Sequence, residues 1–174
     1  PITKKCVRKA YIDTADTGSD FLCAIVYDET EIGNYIVDVL YTAKPMEYTE
    51  IETAKLLTRN GVMKCVVESN NGGRGFARAV EKNCRYIQND FTMFQWFTQT
   101  KNKDVRIFSN SAAVQNLCIM PSGWQRLFPE FAKAIMGYMK VGKNEHDDAP
   151  DALTGTVERR VNKGATGNVA SLFG

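Results

Sequence analysis

Several things are scarce in this 174-residue chain, and each absence removes a class of protein. Histidine occurs once, as His146, so no histidine-rich metal site is available. The five cysteines (Cys6, Cys23, Cys65, Cys84 and Cys118) are odd in number and scattered, and none forms a C-x-x-C pair. Neither a zinc cluster nor a disulfide framework is indicated, and a reducing, cytosolic setting is expected. Cys23 and Cys65 fall inside apolar runs, where a thiol serves as a small hydrophobe. No apolar run approaches the length of a membrane span, and no signal-peptide pattern is present. The net charge is only +2, so nucleic-acid binding would have to rest on local basic patches. There is no internal repeat, low-complexity block or domain-splitting linker. At this length a single domain can bury a core without staples.

What is present is a change of hydrophobic period along the chain. Lys9–Asp13, Phe21–Tyr27 and Asn34–Tyr41 read as three strands joined by short polar connections, an antiparallel meander. From Thr49 to Arg59 the apolar positions Ile51, Ala54, Leu56 and Leu57 fit a helix, with Asn60-Gly61 as its stop signal. Val62–Glu68 reads as a fourth, buried strand, reached by the helical crossover that a parallel pairing requires. A helix over about Phe76–Asn83 follows a glycine-rich turn. Phe91–Phe97 is strand-like, and its aromatics are expected in the core. Thr98–Asp104 is expected as a polar loop, Val105–Phe108 is ambiguous, and Ser109–Leu117 reads as a short helix. Cys118–Met120 is a possible further strand. Trp124–Lys140 is an amphipathic helix interrupted near Pro129, and a last helix runs from Ala149 to about Val161. This order predicts a ribonuclease H-like mixed sheet, three antiparallel strands then parallel ones, with helices on both faces. Residues 1–161 are expected to form the domain and residues 162–174 a flexible tail.

Acidic residues are gathered where folding alone gives little reason for them. Asp13 ends the first strand, Glu68 ends the fourth, and His146-Asp-Asp-Ala-Pro-Asp151 opens the last helix. In the predicted topology the ends of strands one and four lie side by side. Asp148 and Asp151, three residues apart, share one helical face. Such carboxylates could hold two magnesium or manganese ions roughly 4 Å apart for phosphodiester hydrolysis. Each position also has an ordinary use. Glu68 could be a strand-terminal charge, Asp147 and Asp148 could cap the helix beside Pro150, and His146 could be a surface residue. The Asn70–Gly75 loop does not fit G-x-x-x-x-G-K-[ST], which excludes a P-loop there. Arg74, Arg78, Lys101, Lys103 and Arg106 are the candidates for DNA phosphate contacts.

Three stretches together resemble the nuclease domain of tailed-phage terminase large subunits: Asp13-Thr-Ala-Asp-Thr-Gly-Ser-Asp20, Val66-Val-Glu-Ser-Asn-Asn-Gly-Gly73 and His146-Asp-Asp-Ala-Pro-Asp-Ala-Leu153. The resemblance covers roughly residues 8 to 160. It implies a metal-dependent endonuclease that cuts concatemeric, end-to-end copies of phage DNA during packaging in the cytoplasm of the bacterial host. It also implies Asp13, Glu68 and Asp148 as the catalytic acidic triad, with Asp151 as a further metal ligand and Asp20, Asp147 and His146 near the metals. The expected cofactors are two Mg2+ or Mn2+ ions, and the expected substrate is double-stranded DNA. Family members carry an ATPase motor before the nuclease and work with a portal and a small terminase subunit. This chain starts at Pro1 and has no Walker motif, so it is expected to be the nuclease part of a longer protein. Two other ribonuclease H-like readings compete, a junction resolvase or transposase and a non-catalytic DNA-binding or docking module. An actin-like ATPase or sugar kinase is disfavoured, since no duplicated second half is present.

Overall fold

A computed structural model describes residues 6–14, 21–68, 73–138, 144 and 147–167, with side chains described up to residue 160. Six strands form one sheet: β1 (Val7–Asp13), β2 (Leu22–Glu29), β3 (Asn34–Thr42), β4 (Lys64–Glu68), β5 (Met93–Phe97) and β6 (Cys118–Ile119). Their order is β5-β4-β1-β2-β3-β6. The first three pair antiparallel, whereas β4 on β1, β5 on β4 and β6 on β3 are parallel. The helices are α1 (Met46–Arg59), α2 (Gly73–Tyr86), α3 (Lys103–Leu117), the short α4 (Trp124–Leu127), α5 (Pro129–Gly137) and α6 (Asp148–Gly167).

Strand alternation divides the core in two. Side chains of one strand point alternately to opposite faces. On β1 and β2, Ala10, Ile12, Leu22, Ala24 and Val26 meet α1 and α2, packing on Leu56, Leu57, Phe76 and Val80. The intervening Tyr11, Cys23, Ile25 and Tyr27 face the other way and pack with Phe131 of α5 and Ala149, Ala152 and Leu153 of α6. A bulge beside Val26/Tyr27 lets Val37 and Leu40, three residues apart, pack on the same face. Helices therefore cover both faces of the sheet.

Helix α1 ends as its sequence suggests. Asn60 is the C-cap, Gly61 takes φ +60°, and Val62 N donates to Leu57 O at 3.0 Å. This is the 6→1 bond of a glycine-terminated helix, and it aims the chain into β4. Ile51, expected on the buried stripe, is exposed, while Thr49, Thr53, Ala54, Leu56 and Leu57 are buried.

Three further expectations are corrected. The Thr98–Asp104 loop is shorter than expected, because α3 already begins at Lys103, with the Asn102 side chain accepting from Val105 N at 3.1 Å. The aromatics of Phe91–Phe97 do not form a buried cluster: β5 is an edge strand, and Phe91, just before it, and Trp96 are exposed while Phe94 and Phe97 are partly buried. Helix α6 continues past Val161 to Gly167. Among the described residues, no helix is long and apolar enough to cross a membrane. The described cysteines are all free thiols.

Candidate metal centre

The site is assembled where β1 and β4 end together. Their parallel register pairs Asp13 with Glu68. Asp13 has the parity of Tyr11 and Glu68 that of Val66, so both carboxylates project toward the α6 face. Thr14 holds the two strand ends together, its amide and its hydroxyl donating to Glu68 O at 3.2 and 3.1 Å. The first turn of α6 completes the arrangement. Asp151 N donates to Asp147 O at 3.0 Å, which starts the helix, and Asp148 Oδ2 accepts from Phe21 N at 3.1 Å. Carboxylates are favourable at a helix N-terminus, where free N–H groups carry partial positive charge.

Close packing of α6 on β1 brings its acidic turn within reach. A Cβ added at Gly155 would overlap the Tyr11 ring, so only glycine lets the helix lie this near the strand. The Tyr11 hydroxyl in turn donates to Glu68 Oε2. One carboxylate oxygen from each of Asp13, Glu68 and Asp151 lies within 4.8 Å of the others. All three residues are buried, as is Asp148.

Two cations from α3 meet this cluster. Arg106, 2 % exposed, forks onto Glu68, with Nη1 to Oε1 at 2.8 Å and Nη2 to Oε2 at 3.1 Å. Its Nη1 also lies 3.0 Å from Asp151 Oδ1, and its Nε and Nη2 donate to Glu158 Oε2 at 3.2 and 2.9 Å. Lys103 Nζ lies 2.8 Å from Asp148 Oδ1, 3.0 Å from Asp147 Oδ1, 3.6 Å from Asp13 Oδ2 and 3.8 Å from Asp151 Oδ2.

The electrostatics follow from crowding carboxylates out of water. Burial pushes the Asp13 carboxyl well above the ordinary range; Lys103 pulls it down, while Asp151, Glu68 and Asp148 push it further up. Burial likewise raises Asp151 to about 7, against the pull of Arg106. For Lys103 burial works against the charge, yet Asp13 and Asp148 more than offset it and its net shift is upward. Arg106 behaves in the same way through Glu158, Asp151 and Glu68.

A hard divalent cation fits this donor set. Asp13 Oδ2 and Asp151 Oδ1 are buried and accept no hydrogen bond from the described residues, having only the ion pairs given above. Buried anionic oxygens left in that state are costly, and a metal ion with oxygen ligands satisfies them.

Measured against the sequence expectations, Asp13, Glu68, Asp147, Asp148 and Asp151 are brought together. Asp151 rather than Asp148 joins Asp13 and Glu68 in the tightest carboxylate group, while Asp148 lies beside it against Lys103. Asp20 and His146 lie outside the described residues. Of the expected phosphate contacts, Arg74, Arg78 and Lys101 are exposed. Arg106 is not a surface contact, because its guanidinium is buried among Glu68, Asp151 and Glu158. Lys103 is turned into the acidic cluster rather than out to solvent. Tyr11, Gly155 and Glu158 were not singled out in the sequence, and only their proximity to Glu68 and Arg106 marks them. A cleft of about 800 Å³ is lined by Tyr11, Phe97, Lys101, Arg106 and Arg159, among others.

The chain as a whole is similar to known proteins. A family model described as the terminase RNaseH-like domain matches residues 10–158. The human cytomegalovirus terminase nuclease domain, Mn-soaked and inhibitor-bound, is similar with a TM-score of 0.59 at 11% identity, over 88% of this chain and 83% of its own. The large-terminase nuclease domain of bacteriophage SPP1 with bound Mn has a TM-score of 0.57 at 13% identity, over 91% and 88% of the two chains. The large terminase of a thermophilic bacteriophage has a TM-score of 0.59 at 11% identity, over 88% of this chain but 39% of that one. At such identities the likeness is one of fold, the ribonuclease H-like mixed sheet. A search among curated protein sequences gives no match.

Proposed function

Starting from the family to which this chain belongs, the terminase RNaseH-like domain, we propose that it is a metal-dependent endonuclease that cuts double-stranded DNA during phage genome packaging. The observation that carries the reading is the convergence of Asp13, Glu68 and Asp151, with two of their oxygens buried and without a hydrogen-bond donor among the described residues. In this reading the fold described here, closed by α6 as far as Gly167, is the nuclease domain of a longer large subunit. An ATPase motor, a portal and a small terminase subunit are its partners in the host cytoplasm.

Asp13, Glu68, Asp148 and Asp151 would hold two Mg2+ or Mn2+ ions. When bound, the ions supply positive charge at the scissile phosphate and lower the pKa of water. The residues around them do the rest. Arg106 and the Tyr11 hydroxyl hold the Glu68 carboxylate from behind, so its oxygens keep one orientation. Phe21 N fixes Asp148 through Oδ2. Burial of the cluster raises the value of every charge interaction within it, because water no longer screens them. Arg74 and Arg78 on α2 and Lys101 after β5, all exposed, are suited to backbone phosphates and read no bases. Low sequence preference in cutting is the expected consequence.

The test is plasmid cleavage by purified protein. Nicked and linear products should form with Mn2+ or Mg2+, vanish with chelator and be absent from an Asp13→Asn variant. Plasmid that stays supercoiled with either metal, across a wide range of protein concentration, would overturn the proposal.

A further inference from the structure

Lys103 is placed unlike an ordinary salt-bridging lysine. Its ammonium has three donors and lies within 4 Å of oxygens from four carboxylates, those of Asp13, Asp147, Asp148 and Asp151. Three of these are residues assigned above to the metal ions, and the inference rests on that reading. The other cation of the cluster, Arg106, is sealed in: 2 % exposed, planar, and engaged on Glu68, Asp151 and Glu158 at once. Lys103 differs in burial and in shape. Its side chain is 34 % exposed, and its charge sits at the tip of a flexible four-carbon stem. It also stands at the very start of α3, directly after the N-cap Asn102.

An ammonium and a divalent ion cannot share these oxygens. Both would sit at contact distance from the same carboxylates and therefore within a few ångströms of each other, where like charges repel strongly even at an intermediate effective dielectric. Without any cation at this place, Asp13, Asp148 and Asp151 would face one another buried and largely uncompensated. We propose that Lys103 is a built-in counter-ion that holds the place of one metal ion, and that metal loading displaces it toward solvent. Lys103 thus keeps the acidic cluster folded and inert in the metal-free protein. Once displaced, its charge lies at the rim of the site, where a DNA phosphate would approach. The metal affinity of the protein is set below that of its bare carboxylates by the work of removing Lys103.

Calorimetric Mn2+ titration of the full chain, its Lys103→Ala and Lys103→Gln variants and an Asp13→Asn control provides the test. Removing the competing charge should tighten Mn2+ binding by about tenfold or more in both Lys103 variants. In the unmodified protein, acylation of Lys103 followed by mass spectrometry should be slow without metal and speed up when Mn2+ is added. That second measurement decides the matter alone if the variants do not fold. Equal or weaker Mn2+ binding in folded Lys103 variants, or acylation indifferent to Mn2+, overturns the inference. If wild type and Lys103→Ala bind Mn2+ equally and Asp13→Asn does not, the metal centre stands and only the role of Lys103 falls. If none of the proteins binds Mn2+, the metal-centre reading falls and takes this inference with it.

Discussion

Replacing Arg106 by Met would show how the carboxylates are kept buried. Methionine retains much of the unbranched stem but removes the guanidinium. Glu68 and Asp151, 4 % and 2 % exposed, then lose the cation that faces both of them. Removing one partner of a buried ion pair costs about 3–5 kcal/mol, because the remaining charge stays out of water. In a chain of 174 residues, each kcal/mol moves Tm by about 2–4 °C, so a fall of roughly 6–20 °C is expected. The loss should depend on pH. Asp151 is already raised to about 7 by burial, and Arg106 is what holds it from rising further. In the variant Asp151 therefore titrates above that value: well below it the carboxyl is protonated and escapes much of the cost, and the cost grows as the pH rises through and beyond it. Thermal unfolding followed by circular dichroism in chelator should therefore show a larger fall at pH 8 than at pH 5. A double variant, Arg106→Met with Glu68→Gln, should recover part of the loss, since one stranded charge is gone. A Tm within about 2 °C of wild type at pH 8, or the same fall at both pH values, would refute the reasoning.

Two other outcomes are expected. A Gly155→Ala substitution forces a methyl group into the Tyr11 ring; overpacking of this kind costs about 1–3 kcal/mol. Because the Tyr11 hydroxyl bonds Glu68, plasmid cleavage should fall along with Tm, and wild-type values for both would show that α6 can yield there. The raised Asp151 also fixes the sign of a pH effect. A carboxyl whose folded pKa lies above its unfolded value binds more protons in the folded state, so its stabilising contribution is full below about pH 4 and is lost as pH rises through about 7. Metal-free wild type should lose stability relative to Asp151→Asn over that window, measured by urea unfolding at successive pH values. A difference that is flat with pH, or grows in the opposite direction, would contradict the placement of Asp151.

How much could be read from the chain depended on whether local pattern and final environment agreed. In β1, β2 and β4 they did. Each is an apolar run that ends at a polar residue, and the parity of Asp13 with Tyr11 and of Glu68 with Val66 decides the face on which each carboxylate emerges. Asn60-Gly61 spelled the end of α1, because a left-handed residue at that place favours glycine. Helix α3 was harder to see. Its buried positions are Arg106 and Ile107, while Val105 and Phe108 are exposed, so its first turns show no apolar stripe. The beginning of α3 therefore resembled a polar loop, and its two cations resembled surface charge.

Legible along the chain were the strand and helix order, the meander followed by parallel crossovers, and the acidic residues at the ends of β1 and β4 and at the start of α6. These follow from hydrophobic period and capping chemistry, which act between near neighbours along the chain. Packing in three dimensions was needed to bring Asp151 to Asp13 and Glu68, to seal Arg106 among them, and to turn Lys103 into the cluster. Those outcomes depend on how closely α6 lies on β1, a distance set by Gly155 against Tyr11, and on where α3 docks beside it. Contacts between residues that are dozens of positions apart leave no period in the sequence, and a charge reads the same whether it faces water or a buried carboxylate.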